Sequence, residues 1–354
     1  MSTPFEIAKR AVAPERAGRP LDLIRLRGAL GRWLMFSDYG AAAQRHMAIV
    51  WSCVLACAVV DAVWLPHSRL SFAASNWTGF LQGLIACVLA GLFVAFASSR
   101  LRSDERRPAV ILRRTLLLTE LLWRAALPIG ALLATGGALS YLMTAADLPL
   151  WDAQLARLDR DLGFAWLRFL DATNSSPLLA TLLVRVYQSI GPVAQLAFVW
   201  LALTRRGDRL AELIAVLSLS TIALCAGMGL VPAAGGFAYY GPAPRLFANF
   251  AVHGEMWSFS HAFTMLRDGS LTVIDLSELQ GVVSFPSFHT MLGVMTAYAL
   301  RDTRWLFIPV LVLNGAMIVS TMPVGGHHLV DVVAGAALTL GAILLVRRSA
   351  RAGG

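Results

Sequence analysis

Apolar residues in this 354-residue chain come in long blocks broken by polar connections. The blocks fall at about 47–65, 80–98, 117–145, 177–203, 211–232, 287–300, 305–322 and 328–346. Most approach the roughly 20 apolar residues that carry a helix across a bilayer. The sixth is short; it gains length by running back through Val282, Val283, Ser284 and Phe285, or by tilting. The pattern predicts an all-α, polytopic membrane bundle of about eight transmembrane helices. Residues 146–176 read differently. There Trp151, Leu155, Leu158 and Leu162 recur at helical spacing with charges opposite. That predicts an amphipathic helix, either lying on the membrane interface or packed on the bundle as an ordinary connection. Residues 24–36, with Ile24, Leu26, Leu30, Trp33 and Leu34 among arginines, predict a similar helix on the inner face.

Composition excludes an ordinary soluble domain. Hydrophobic residues make up 57% and charged residues 14%, against about 45–50% and about 25% in soluble proteins. The basic excess is almost all arginine, with Lys9 the only lysine. These arginines flank the apolar blocks instead of forming one patch, so they report topology and not nucleic-acid binding. Clusters precede block one, lie between blocks two and three, four and five, and six and seven, and follow block eight. Every second connection is therefore arginine-rich, as cytoplasmic segments are. Both termini are expected in the cytoplasm and the alternate connections outside. No cleavable signal peptide is expected, because residues 1–46 are polar and arginine-rich without an apolar core. Cys53, Cys57, Cys87 and Cys225 all lie in apolar runs and read as packing residues without a disulfide framework.

Little in such a chain can do chemistry, which makes two C-terminal segments stand out. One is Ser284-Phe285-Pro286-Ser287-Phe288-His289. The other runs from Ser320-Thr321 to His327-His328-Leu329-Val330-Asp331. His327 and Asp331 are four apart, a spacing that places them one turn apart on a helix face. A carboxylate there can accept the imidazole Nδ1–H and leave Nε2 free to attack. His289 follows Pro286-Ser287 at an expected helix start, where free amides attract phosphate and a histidine can protonate a leaving oxygen. The arginine pattern puts His289 and His327 at the extracytoplasmic ends of their helices. A zinc site of His289, His327 and Asp331 is the rival reading; it ranks lower because no second carboxylate lies nearby in sequence. Glu120 and Arg124, four apart, are expected to pair. His46 and His67 read as polar tips in the headgroup zone, and His253 and His261 as loop residues.

Pro286-Ser287-Phe288-His289 resembles the Pro-Ser-Gly-His motif of the type 2 phosphatidic acid phosphatase (PAP2) superfamily. Ser320-x6-His327-x3-Asp331 resembles its last motif, Ser-Arg-x5-His-x3-Asp. The resemblance covers the last six blocks, a six-helix core within 99–354, with 47–98 as two accessory helices and 1–46 as a basic N-terminal segment. It implies that His327 is the nucleophile, Asp331 its orienter and His289 the general acid. The superfamily's Lys-x6-Arg-Pro motif is absent, Thr321 stands where an arginine is usual, and Phe288 replaces glycine. With the doubled His327-His328 and the Ser-Thr-Met run, these departures resemble the inositol phosphorylceramide synthase branch, the inositol phosphotransferases. Arg245, Arg185, Ser287 and Thr321 are the candidates for phosphate binding.

The expected protein is a cell-membrane lipid phosphatase or phosphotransferase acting on a lipid phosphate ester through a phosphohistidine, without metal or cofactor. Water as acceptor makes it a phosphatase, and a lipid or sugar hydroxyl makes it a transferase. The alternative is a catalytically silent lipid transporter or scramblase on the same fold. The sequence leaves the substrate, the acceptor and the oligomeric state open.

Overall fold

A computed structural model describes residue 31 and residues 34–101, 106–252 and 258–351. Most of the 24–36 segment, and His253, lie outside the described residues. The described residues are helical almost throughout. The apolar blocks become α1 (Ala41–Trp64), α2 (Ala74–Arg100), α3 (Arg107–Ala145), and, after two short helices, α4 (Asp152–Asp161) and α5 (Trp166–Asn174), the pair α6 (Pro177–Gln188) and α7 (Ile190–Leu203). Then come α8 (Gly207–Leu230), three short helices α9 (Gly236–Tyr240), α10 (Ala248–Ala251) and α11 (Ser258–Asp268), and finally α12 (Phe288–Ala299), α13 (Arg304–Ser320) and α14 (Leu329–Arg351).

Among the described residues, six stretches are long and apolar enough to cross a membrane: 41–67, 74–94, 107–145, 177–203, 207–230 and 329–351. The sixth and seventh predicted spans form helices, but shorter ones, of 12 and 17 residues. The fourth span is interrupted at Ser189, which separates α6 from α7. All-α bundle and block order are thus as the hydropathy pattern predicts, while two of the eight spans fall short of the length rule.

The core lies between α1, α3, α8, α12 and α14. Met47 and Val50 of α1 share one buried cluster with Leu210 and Ile214 of α8, Met291 and Met295 of α12, and Ile343 and Val346 of α14. The first helix is therefore built into the bundle. Helix α2 packs chiefly on α3 and leaves Leu84, Leu89, Leu92 and Phe93 exposed. For a chain this apolar, such a surface faces lipid, and every backbone group in it is satisfied within its helix. Cys53, Cys57 and Cys225 are buried. Arg124 lies 3.0 Å from Asp38 and 3.7 Å from Glu120, so the predicted pair forms with a second acid added.

The arginine-rich connections meet at one end of the bundle. Arg206 and Arg209 reach Asp302, Arg301 reaches Glu212, and Arg45 donates to the Ala350 carbonyl. His46, expected in the headgroup zone, is buried at this end. At the other end, β1 (Ser71–Phe72) pairs in parallel with β2 (Val273–Ile274), tying the α1–α2 connection to the long 231–287 connection. His289, at the start of α12, and His327, just before α14, both belong to this second end.

Helix α4 buries a mixed face. Asp152 and Asp159 are buried with Leu155 and Ala156, whereas Leu158 and Leu162 are exposed together with Gln154, Arg157, Arg160 and Asp161. Two carboxylates are therefore left to be satisfied inside the protein.

Candidate active site

Helix α12 begins at Phe288, two residues later than a helix led by Pro286 would. Ser287 is its N-cap, and Pro286 precedes the cap. The Ser287 hydroxyl accepts from the Thr290 amide at 3.4 Å and from the Thr290 hydroxyl at 3.1 Å. This buried oxygen accepts within its own helix, as capping serines do. The cap places His289 in the first turn. Its ring stacks on Tyr187 of α6, with centroids 4.4 Å apart and planes at 17°. His289 lies within electrostatic reach of His327.

His327 does not share a helix face with Asp331. It precedes α14, and only Asp331 lies within that helix. The two meet for a different reason. Asp331 is the third residue of α14, and its Oδ2 accepts the backbone N–H of His328 at 2.9 Å. An acid at this position reaching back to the cap residue's amide is half of a capping box. The same oxygen lies 3.4 Å from His327 Nδ1 and accepts the Ser284 hydroxyl at 3.3 Å. The 3.4 Å separation is long for a hydrogen bond, and catalytic pairs often tighten only when substrate binds. Asp331 is fully buried, and its Oδ1 has no partner among the described residues.

The loop carrying His327 is gripped on several sides. The Trp166 indole N–H donates to the His327 carbonyl at 3.1 Å, and the Gly236 amide to the Gly326 carbonyl at 2.6 Å. Gly326 has φ +73° and Gly235 has φ +92°. A side chain at Gly235 would stand 2.9 Å from the Gly326 oxygen, so glycine is required there on both conformational and steric grounds. The Ser287 amide donates to the Asp331 carbonyl at 3.0 Å, which joins the two motif segments directly.

Two carboxylates flank the neighbouring histidine. His328 is buried, with Nδ1 3.1 Å from Asp159 Oδ2 and Nε2 3.5 Å from Asp152 Oδ1. Burial alone lowers a histidine pKa, but the Asp152 and Asp159 carboxylates outweigh it and raise His328 to about 9.

The phosphate candidates fare unequally. Thr321 is buried at the end of α13; its hydroxyl donates to the Ile318 carbonyl at 2.7 Å, and its own carbonyl accepts the His327 amide at 3.3 Å. Its backbone thus touches His327, while its side chain serves the helix end. Arg185 and Arg245 are both exposed, and neither guanidinium bonds to a described residue. Arg245 is tethered only through its carbonyl, which accepts from Asn174 at 3.0 Å. On α6 the residue delivered to the histidines is Tyr187, two positions after Arg185. An aromatic in an apolar run reads as packing, so the sequence does not single it out. Asp152 and Asp159 are seven residues apart, a spacing that places them on one helix face.

The arrangement is two imidazoles from separate helix starts, one backed by a buried carboxylate, in a site walled by aromatic rings. Such a site can attack phosphorus with one ring and manage the leaving group's proton with the other. No curated protein and no solved structure matches the chain. A family model for the PAP2 superfamily matches residues 153–345, which runs from the second residue of α4 into α14 and takes in His289, His327 and Asp331. That superfamily supports a phosphatase or phosphotransferase type of function. By this match over more than half its length, and with both motif segments brought together, the chain belongs to the PAP2 superfamily.

Proposed function

We propose that the protein is a membrane lipid phosphatase or phosphotransferase that works through a phosphohistidine on His327. The supporting observation is the convergence of His289 and the His327–Asp331 pair at one end of the bundle. In the first step Nε2 of His327 attacks phosphorus, the P–O bond to the leaving group breaks, and His289 gives that oxygen a proton. In the second step an acceptor hydroxyl attacks, the P–N bond breaks, and His289 takes the acceptor's proton. Atoms and charges balance with water or with an alcohol as acceptor.

A lipid phosphate ester is the substrate class this reading favours, because helix ends beside exposed apolar surface can be entered from the bilayer. The doubled histidine and the Ser-Thr-Met run favour a transferase of the inositol phosphorylceramide synthase type. Purified protein in liposomes is to be offered phosphatidic acid, polyprenyl diphosphate and phosphatidylinositol, with and without ceramide or diacylglycerol. Release of inorganic phosphate alone marks a phosphatase. Formation of a new phospholipid that requires the acceptor marks a transferase. No turnover of any of these by the wild-type protein contradicts the proposal.

The site end faces outward in this reading, with both termini in the cytoplasm, as the arginine distribution favours. Thr272 is exposed at the site end and Thr204 at the arginine end. With the four native cysteines replaced, Thr272→Cys is expected to react with a membrane-impermeant maleimide on intact cells, and Thr204→Cys only after permeabilisation. The reverse pattern inverts the orientation.

A further inference from the structure

We propose that Asp159 is a positioning residue for His327: through the His328 ring and the first amides of α14 it fixes the loop that presents the nucleophile. This rests on the reading of His327 as nucleophile.

Asp159 is fully buried and makes three bonds, all to the start of α14. Its Oδ2 meets His328 Nδ1 at 3.1 Å and accepts the Leu329 amide at 3.2 Å, and its Oδ1 accepts the Val330 amide at 3.0 Å. The first amides of a helix have no partner within it and usually take one from the N-cap side chain. Here His328 stands before the helix and its side chain cannot act as that acceptor. A carboxylate from another helix takes the place, favoured by the positive end of a 23-residue helix. Asp152, seven residues earlier on the same face, accepts the Ala234 and Gly235 amides at 3.0 and 2.7 Å. The next amide, of Gly236, is the one that holds the Gly326 carbonyl. One helix therefore restrains both sides of the 325–328 loop.

The restraint reaches the reacting residue through two bonds. The His328 amide donates to Asp331 Oδ2, the oxygen that faces His327 Nδ1. If His328 shifts, the carboxylate and the nucleophile lose their common reference. The groups facing His328 are Asp152 and Asp159 of α4, Asp331 of α14, and the rings of Tyr239 and Tyr240 of α9 at 6.2 and 6.1 Å. Among them the acids dominate, so the imidazole is held as a cation at neutral pH. Its pKa is raised in the folded state, so its stabilising contribution is full below the ordinary value near 6.5. That contribution is lost as pH rises through about 9.

The test compares wild type with D159N, which keeps the shape and one acceptor oxygen but loses the charge. Two quantities are read: steady-state kinetics on the lipid phosphate turned over by wild type, and the pH dependence of the thermal midpoint without substrate. D159N is expected to lower kcat about 100-fold, the scale of a misplacement near 1 Å, with KM little changed. Its midpoint should lose the decline that wild type shows through pH 9 and show it at lower pH instead. A D159N that is less stable but keeps kcat within threefold overturns the positioning role and leaves a structural one. An unchanged midpoint profile overturns the His328–Asp159 pair itself. Should D159N not fold, D152N is measured in the same way, with the same expected directions and the same overturning results. Absence of turnover by wild type overturns the nucleophile reading and this role with it. Turnover by wild type with unchanged kcat in the variant overturns this role alone.

Discussion

Replacing His327 with alanine is expected to abolish turnover of the lipid phosphate while leaving the protein expressed and folded. The carbonyl of residue 327, which accepts from Trp166, and its amide, which donates to Thr321, belong to the backbone and survive the substitution. What disappears is the ring whose Nδ1 faces Asp331. Without a nucleophile no covalent intermediate forms, and removing a nucleophile from a concerted catalytic set costs on the order of 10⁶-fold in kcat in a well-studied protease. The measurement is kcat for purified His327→Ala against wild type in the same liposomes. Activity within tenfold of wild type would exclude His327 as the attacking group.

The second large effect is expected at Asp331. Its Oδ2 collects the His328 amide, the Ser284 hydroxyl and His327 Nδ1. In the proposed mechanism the carboxylate sets the ring's tautomer and balances the charge the ring acquires on attack. Asp331→Asn keeps an acceptor oxygen for the capping bond but can present an N–H to Nδ1, which favours the wrong tautomer. In the serine protease triad the equivalent change costs about 10⁴-fold in kcat. A loss of that order is expected here, with KM changed much less, as fits an interaction made mainly in the transition state. Equal losses in kcat and thermal stability with Asp331→Ala, but full activity with Asp331→Asn, would reduce the residue to a helix cap.

Much of this site can be read from the sequence, for a physical reason. Lipid demands long apolar runs, so the few polar residues at their ends, His289, His327 and Asp331, stand out. The fold class follows from the same runs. What the sequence hides is how polar groups are shared between elements. The spacing of His327 and Asp331 suggests a common helix face, yet they meet because Asp331 closes a capping bond and His327 sits on the turn before the helix. Ser287 caps its own helix, a role its spacing before His289 does not announce. The helical spacing of α4 is legible, but not that its inward face carries the acids Asp152 and Asp159 beside Leu155 and Ala156. Arg185 and Arg245 drew notice because arginine in such surroundings is costly. Cost marks a residue without saying where its side chain goes, and both are exposed.

Chemical trapping tests the central claim most directly. Wild-type protein is mixed with a lipid whose phosphate is radiolabelled, quenched within a turnover, and its label characterised and mapped. The account predicts a label that is stable in alkali, lost in acid, located on His327 and absent from His327→Ala. A label that maps to another residue, or that persists in His327→Ala, would contradict it.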